Sequence, residues 1–446
     1  DAIHNLILLS NSTLIGISPN LEISLVDGVL YAFQQQNVQH KIYLLSLGSL
    51  ATALGVRMKP HMNSIVSTIL FRMKNKSAEV RQQACDLICV IAPTLKLCEA
   101  GDDQLLMKLV LFLYESLGEV YPEVLGSIIN AIYFCIENME KSSVLTMQNP
   151  SVNQLLPTIT PILKNRQEKV QEACIKLVGL IAQKNSESIS AKEWMRVSFE
   201  LLDMLKSSRK RIRVAANSTF GFISKTIGPQ DILVMLLNNL RVQERQLRVC
   251  TAVAIGIVAE TCAPFTVLPA LMNEYKIPDT NVQNGVLKAM SFLFEYIDGQ
   301  VSRDYLYSIV PLLEDALTDR DLVHRQTAAT VMKSLAYNCM SASHAKYFYA
   351  FLHLLDLRLP NIYEASPHVI NIVLESLDSL RNILGVGTYM NYVWAGLFHP
   401  ASKVRRPFWK LFNGAYIQNC DILVPYYPSI DVQGTSYDVE ELQLIL

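Results

Sequence analysis

One short cluster recurs ten times along this chain and constrains what it can fold into. A β-branched residue or Leu is followed by a polar or basic residue, and then by apolar residues at i+4 and i+7. The opening residues are Val38, Val80, Val124, Val170, Ile212, Leu247, Val282, Val323, Val369 and Val404, spaced 35 to 46 residues apart. The copy running from Val310 to Ala329 shows the unit most fully: an apolar helix ends, a charged turn follows, and a second amphipathic helix begins. That period belongs to stacked helical hairpins, which bury their apolar faces only against their neighbours.

The expected fold is therefore all-α: a HEAT-type α-solenoid wound as a right-handed superhelix. Residues 1–424 are expected to form one continuous array of about ten repeats, truncated at the N-terminus because the chain opens on Asp1 without a signal-like segment. Residues 425–446 lose helical periodicity and mix acidic with apolar groups, as a tail packing on the last repeat would. Proline marks helix starts at Pro122, Pro229, Pro264, Pro367 and Pro400, where the missing N–H costs nothing. Val282, Val286, Met290, Leu293 and Ile297 fall on one helical stripe. Residues 140–151 read as a polar surface loop. Two consecutive 35-residue steps between Ile212 and Val282 predict a change of curvature there.

Half of the residues are hydrophobic and 18% are charged, which suits helices covered by their own partner and by both adjoining repeats. No apolar run reaches the roughly 18 residues that suggest a bilayer span, so no membrane association is expected. The nine cysteines are scattered, and Cys85 with Cys89 lacks a second pair or a nearby His to complete a zinc set. Buried thiols without metal are expected, and no cofactor. Phosphate-loop, zinc-helix and nucleophile-elbow motifs are missing from the sequence, so the chain is not expected to be an enzyme.

Charge carries more information. The net is −1, yet cations gather at turns leading into second helices: Arg72, Lys74, Lys76 and Arg81; Lys164, Arg166 and Lys169; Arg241, Arg245 and Arg248; Lys403, Arg405, Arg406 and Lys410. Stacked turns would place these along one basic edge. Most can be explained by ion-pair ladders between repeats. Lys206, Arg209, Lys210, Arg211 and Arg213 differ, since five cations in eight residues have no acid among them. There, contact with a phosphate backbone is expected, without sequence readout.

Several segments go beyond a repeat consensus: LLPTITPILKNRQEKVQEAC at 155–174, NNLRVQERQLRVC at 238–250, TCAPFTVLPALMNEY at 261–275, NVQNGVLK at 281–288, LEDALTDRDLVHRQTA at 313–328 and LFHPASKVR at 397–405. Over residues 20–446 the chain resembles the splicing factor 3b subunit 1 family, the large HEAT-repeat subunit of the U2 snRNP, in the C-terminal half of its repeat domain. The resemblance implies a nuclear, non-enzymatic pre-mRNA splicing scaffold that clamps the duplex of intron branch-site RNA and U2 snRNA. It implies a pocket for the bulged branch adenosine, shared with a PHD-finger-like zinc subunit and matching Lys210, Arg213, Asn217, Leu247, Val249 and Val253. RNA-backbone contacts fall to Lys206, Arg209, Arg211, Arg245 and Arg248. Other implied partners are the remaining SF3b subunits, including the large WD40-like propeller subunit, and spliceosomal helicases. Animal members carry a valine where this chain has Asn217 and an asparagine where it has Leu247. The alternative is a protein-only HEAT scaffold of the nuclear transport receptor or phosphatase regulatory subunit type.

Overall fold

The computed structural model describes residues 19–35, 41–99, 103–184, 188–297, 299–339, 345–358 and 367–420. They form ten helical hairpins and, among the described residues, no strand. The chain divides into two units, Asp1–Gly228 and Pro229–Leu446; the boundary falls within the span of short repeat steps. The tail expected at 425–446 lies outside the described residues.

In the first unit the hairpins are α1 (Pro19–Gln35) with α2 (Lys41–Leu54), α3 (Lys59–Met73) with α4 (Ala78–Glu99), and α5 (Gln104–Glu115) with α6 (Pro122–Asn138). A short α7 (Lys141–Thr146) leads to α8 (Val152–Ile159), paired with α9 (Glu168–Lys184), and α10 (Ala191–Met204) pairs with α11 (Lys210–Ile227). The second unit pairs α12 (Pro229–Asn239) with α13 (Arg245–Cys262), α14 (Pro264–Tyr275) with α15 (Thr280–Tyr296), and α16 (Gly299–Thr318) with α17 (Leu322–Asn338). Its remaining pairs are α18 (Ala345–Arg358) with α19 (Pro367–Leu384) and α20 (Val386–Leu397) with α21 (Ser402–Gln418).

Within each unit, second helices of successive hairpins make the most extensive contacts, except toward the first and last hairpins, where the contact inside the hairpin is larger. The stripe predicted on α15 is buried, with Val282, Val286, Met290 and Leu293 fully enclosed. Burial of each such side chain contributes about 1.5–3 kcal/mol, offset by the entropy of ordering the chain. This repeats along every second helix, so stability accrues repeat by repeat.

The turns show why the hairpins close as they do. A polar side chain at the end of the first helix caps the turn: Asn75 Oδ1 accepts from Ser77 N–H (2.8 Å), Asn165 Oδ1 from Gln167 (2.9 Å), and Asp319 Oδ1 from Asp321 (2.7 Å). Six residues after that cap, an arginine folds back onto the turn carbonyls. Arg81 donates to Asn75 O and Lys76 O, Arg325 to Asp319 O and Arg320 O, and Arg405 to His399 O and Pro400 O. These carbonyls have no helical partner, and a charged fork satisfies two at once. Gln171 and Gln283 do the same with one carbonyl each, of Leu163 and Tyr275.

That register corrects one repeat marker. The apolar residue just before each of these arginines or glutamines is buried, but Val323 is 57% exposed and the buried position before Arg325 is His324, 2% exposed. The histidine occupies a core position because both ring nitrogens are satisfied, Nδ1 by Asn284 Oδ1 at 2.9 Å and Nε2 by the Tyr275 hydroxyl at 2.7 Å. Two local expectations also change. Residues 141–146 form a helix rather than a surface loop, since Met139, Val144 and Met147 are buried against the repeat. Pro400 lies in the turn before α21, whereas Pro122, Pro229, Pro264 and Pro367 open their helices as predicted.

Candidate nucleic-acid interface

The second helix α11 begins with Arg209 at its N-cap and Lys210, Arg211 and Arg213 in the first turn, with no acid there and no side-chain cap. A helix N-terminus carries partial positive charge and favours anions. The equivalent turns of α4, α6 and α9 carry Glu79, Glu123 and Glu168. On α11 the macrodipole and the side chains have the same sign, which leaves this end short of negative charge.

The fold supplies part of it, correcting the expectation that the cluster has no acid to pair with. Lys206 reaches Asp203 at 2.7 Å, one turn back in α10, and Arg209 reaches Glu168 of the preceding repeat at 3.4 Å. Asp203 lies just outside the eight-residue window, three positions before Lys206, and Glu168, about forty positions from Arg209, is brought to it only by hairpin stacking. Arg213 is the turn arginine of its repeat and donates to Ser207 O at 2.7 Å. Lys210 and Arg211 are exposed and make no ion pair or hydrogen bond among the described residues. Exposed ion pairs such as Lys206–Asp203 contribute about 0–1 kcal/mol, so they exchange readily for a phosphate.

Lys210 and Arg211 stand at the rim of a groove of about 720 Å³ between α9 and α11. Val214 and Phe222 of α11 line it together with Leu180 of α9 and Tyr133 of α6. Gly179 makes the close approach possible: a Cβ there would lie 3.1 Å from Thr219 Oγ1 and 3.4 Å from the Phe222 ring. Lys176 on the same wall is paired with Glu172 at 2.8 Å. Sequence reasoning did not single out Tyr133, Val214 or Phe222. Val214, 53% exposed although apolar, was the available signal, since it lies off the buried stripe of its helix.

The other predicted site residues are distributed differently. Asn217 is 6% exposed, and its Oδ1 has no hydrogen-bond partner among the described residues, an arrangement that costs on the order of 1–3 kcal/mol. Neither Arg213 nor Asn217 lines the groove. In the second unit Leu247 is 1% exposed and belongs to the hairpin core, Val249 is exposed and Val253 half-buried. Arg245 is exposed, and Arg248 is held by Val242 O at 2.8 Å and Gln243 O at 2.6 Å.

Most of the wider basic edge is likewise committed to the scaffold. Arg81 pairs with Glu119, Lys164 with Glu200, Lys169 with Glu123, and Arg241 with Glu274. A second groove of about 530 Å³ lies between α19 and α21, with Arg406, Trp409 and Lys410 along it. Among the described residues no group of three or more metal-ligating side chains occurs, and no helix is long and apolar enough to cross a membrane. Cys85 and Cys135 are buried, and burial pushes the Cys89 and Cys174 thiols up to about 12. Such thiols are poor nucleophiles and poor metal ligands.

Comparison with known proteins gives this surface a context. Residues 225–305 match a family of PPP2R1A-like HEAT repeats. The chain is 55% identical over 431 residues to the U2 snRNP component prp10 of Schizosaccharomyces pombe, covering 96% of the chain and 35% of that protein. It is 56% identical over 430 residues to the U2 snRNP component HSH155 of Saccharomyces cerevisiae, covering 96% of the chain and 43% of that protein. The chain belongs to this family of U2 snRNP components. It spans between a third and a half of the length of these family members. Among solved structures, a chain of the Kap95:Nup1 complex superposes with a TM-score of 0.59 at 12% identity, covering 94% of this chain and 55% of that one. A second Kap95p structure, with RanGDP, gives 0.54 at 13% identity over 92% of this chain and 54% of that one. At such identities the likeness shows the HEAT-type fold alone.

Proposed function

We propose that the chain is the RNA-gripping part of a nuclear pre-mRNA splicing scaffold with no catalysis of its own, acting within the U2 snRNP on the intron branch-site RNA and U2 snRNA. The observation that carries this reading is 55–56% identity across 96% of the chain to two U2 snRNP components. The geometry supports it. An otherwise neutral chain leaves Lys210 and Arg211 unpaired among the described residues, at the dipole-positive end of a helix, and this arrangement attracts a phosphate backbone. Arg245, exposed and likewise without a partner among the described residues, supplies a further backbone contact. The finer reading gives Lys210, Arg213 and Asn217 contacts to the bulged branch adenosine, with the PHD-finger-like zinc subunit, the other SF3b subunits and spliceosomal helicases as protein partners. The transport-receptor and phosphatase-subunit alternative rests on fold likeness, which these proteins share whatever they bind.

The test is ultraviolet crosslinking of the chain within assembled particles, followed by identification of RNA-bearing peptides. Crosslinks to U2 snRNA and to intron RNA are expected in peptides containing residues 206–213. A chain that co-purifies with protein partners but yields no RNA-bearing peptide would overturn the reading in favour of the protein-only scaffold.

A further inference from the structure

The groove between α9 and α11 has features that a simple phosphate strip does not need. Its volume of about 720 Å³ lies in the range of sites that enclose a small ligand. Its walls combine the apolar side chains of Val214 and Leu180 with two aromatic rings, Tyr133 and Phe222. The Tyr133 ring is held by its hydroxyl, which donates to Glu137 Oε1 at 3.0 Å, and by an edge-to-face contact with Phe134 at 5.4 Å. Phe222 is fixed where α11 passes closest to Gly179.

The charge of the lining sets the sign of the ligand. Lys176 and Glu172 cancel each other at 2.8 Å, so Lys210 and Arg211 leave the rim with two cations that have no counter-charge among the described residues. Fixed aromatic rings beside two free cations suit a planar, anionic ligand: a base with its phosphate. Acidic peptides satisfy the cations but leave the rings unmatched. A continuous duplex keeps its base faces stacked and inaccessible, so only an unstacked base can enter.

We propose that this groove is a nucleotide subsite for single-stranded RNA, packing one unstacked base against Tyr133 and Phe222 while Lys210 and Arg211 hold the adjoining phosphates. The proposal rests on the RNA-binding reading above and adds a site to it. Every residue of the groove lies within the first unit; of the residues assigned by resemblance to the branch adenosine, Lys210 stands at its rim and would here hold a phosphate, whereas Arg213 and Asn217 do not line it.

The experiment measures binding of the chain to a short single-stranded RNA carrying one 2-aminopurine, and to the same strand annealed to its complement. Fluorescence quenching of the 2-aminopurine is expected with the single strand. Phe222→Leu is expected to weaken single-strand binding about tenfold, the size of one lost base–aromatic stack, and to abolish quenching without changing the salt dependence. Phe222 is half-buried, so Ser218→Trp serves as a second variant: it fills the groove from an exposed rim position and is expected to give the same loss. Lys210→Gln with Arg211→Gln should instead flatten the log–log salt slope by about 0.7 for each lost single-strand phosphate contact. If Phe222→Leu and Ser218→Trp bind and quench like the parent chain while the cation variants lose binding, the groove is not a base site and the RNA reading survives. A parent chain that binds neither RNA form overturns both. Displacement of bound single strand by an equimolar acidic peptide overturns the subsite and assigns the groove to a protein partner.

Discussion

Arg81 makes four hydrogen bonds at once. Two go to the carbonyls of its own turn, and two go to the Glu119 carboxylate of the next hairpin at 2.8 and 2.9 Å. Glu119 in turn accepts from the Val120 and Tyr121 backbone N–H groups. The hydrogen bond from Arg81 is the main reason its carboxyl lies below the ordinary value of 4.5. Both side chains are largely enclosed, so Arg81→Ala should cost about 3 kcal/mol, because it removes the cation facing Glu119 and leaves that charge only its two backbone N–H donors. A depressed carboxyl contributes stability that is present above its unfolded value and is lost as pH falls through its folded one. Glu119→Gln should therefore flatten the fall in urea midpoint below pH 4.5, which denaturation series on the two chains will show. His324 has the opposite charge balance. Burial lowers its pKa from 6.5, with Asp319 and Asp321 opposing more weakly, so the fold prefers the neutral ring that Asn284 and Tyr275 satisfy. The unfolded chain then binds the extra proton first, and stability falls as pH drops from about 6.5 toward the lowered value. Melting temperatures across that interval should decline less steeply for His324→Asn than for the parent chain.

At the scale of elements, the turn arginine is the recurring device, and it decides how the basic residues divide. Arg248 is committed to Val242 O and Gln243 O, whereas Arg245, three residues earlier on the same helix, is exposed. Arg248→Ala is expected to lower stability by about 1.5–3 kcal/mol, as loss of charged hydrogen bonds does, with little change in the salt slope of RNA binding. Arg245→Ala is expected to reduce the slope by about 0.7–0.9 at unchanged stability. Melts and salt titrations on both variants separate the roles, and a reversal would reassign both residues. Helix contacts set a second constraint at Gly256 of α13, where a Cβ would meet Phe292 Cβ of α15 at 2.9 Å and Leu293 N at 3.4 Å. Alanine gains about 1 kcal/mol of helix propensity, but overpacking costs about 1–3 kcal/mol. Gly256→Ala should therefore be neutral to destabilising, never clearly stabilising, and thermal denaturation reads the sign.

For the whole molecule, each repeat gains its stability from its own hairpin and its immediate neighbours. A lesion at Gly256 should therefore reduce amide-exchange protection most in α13 and α15 and leave α4 and α6 unchanged. Uniform loss of protection would show global cooperativity instead. The same organisation accounts for the electrostatics. With a net charge of −1, the RNA contact proposed above can form only where cations escape the ion pairs between repeats, so binding is expected to depend on a few positions and not on total charge.

The helical hairpins and the buried stripe of α15 were legible because a 35–46-residue period and i, i+4, i+7 spacing are local properties of the chain. The presence of a cationic centre near residue 210 was legible for the same reason, as a density of Lys and Arg. Three matters were decided only by tertiary structure. One is which cations stay unpaired: Glu168 lies about forty residues from Arg209 and meets it only through stacking. Another is the aromatic groove, since Tyr133, Leu180 and Phe222 belong to three different helices. The third is the core role of His324, where polar partners from α14 and α15 replace the usual aliphatic residue. A sequence records spacing along one helix, but the pairing of charges and the shape of a groove depend on distances between helices, and packing alone sets those.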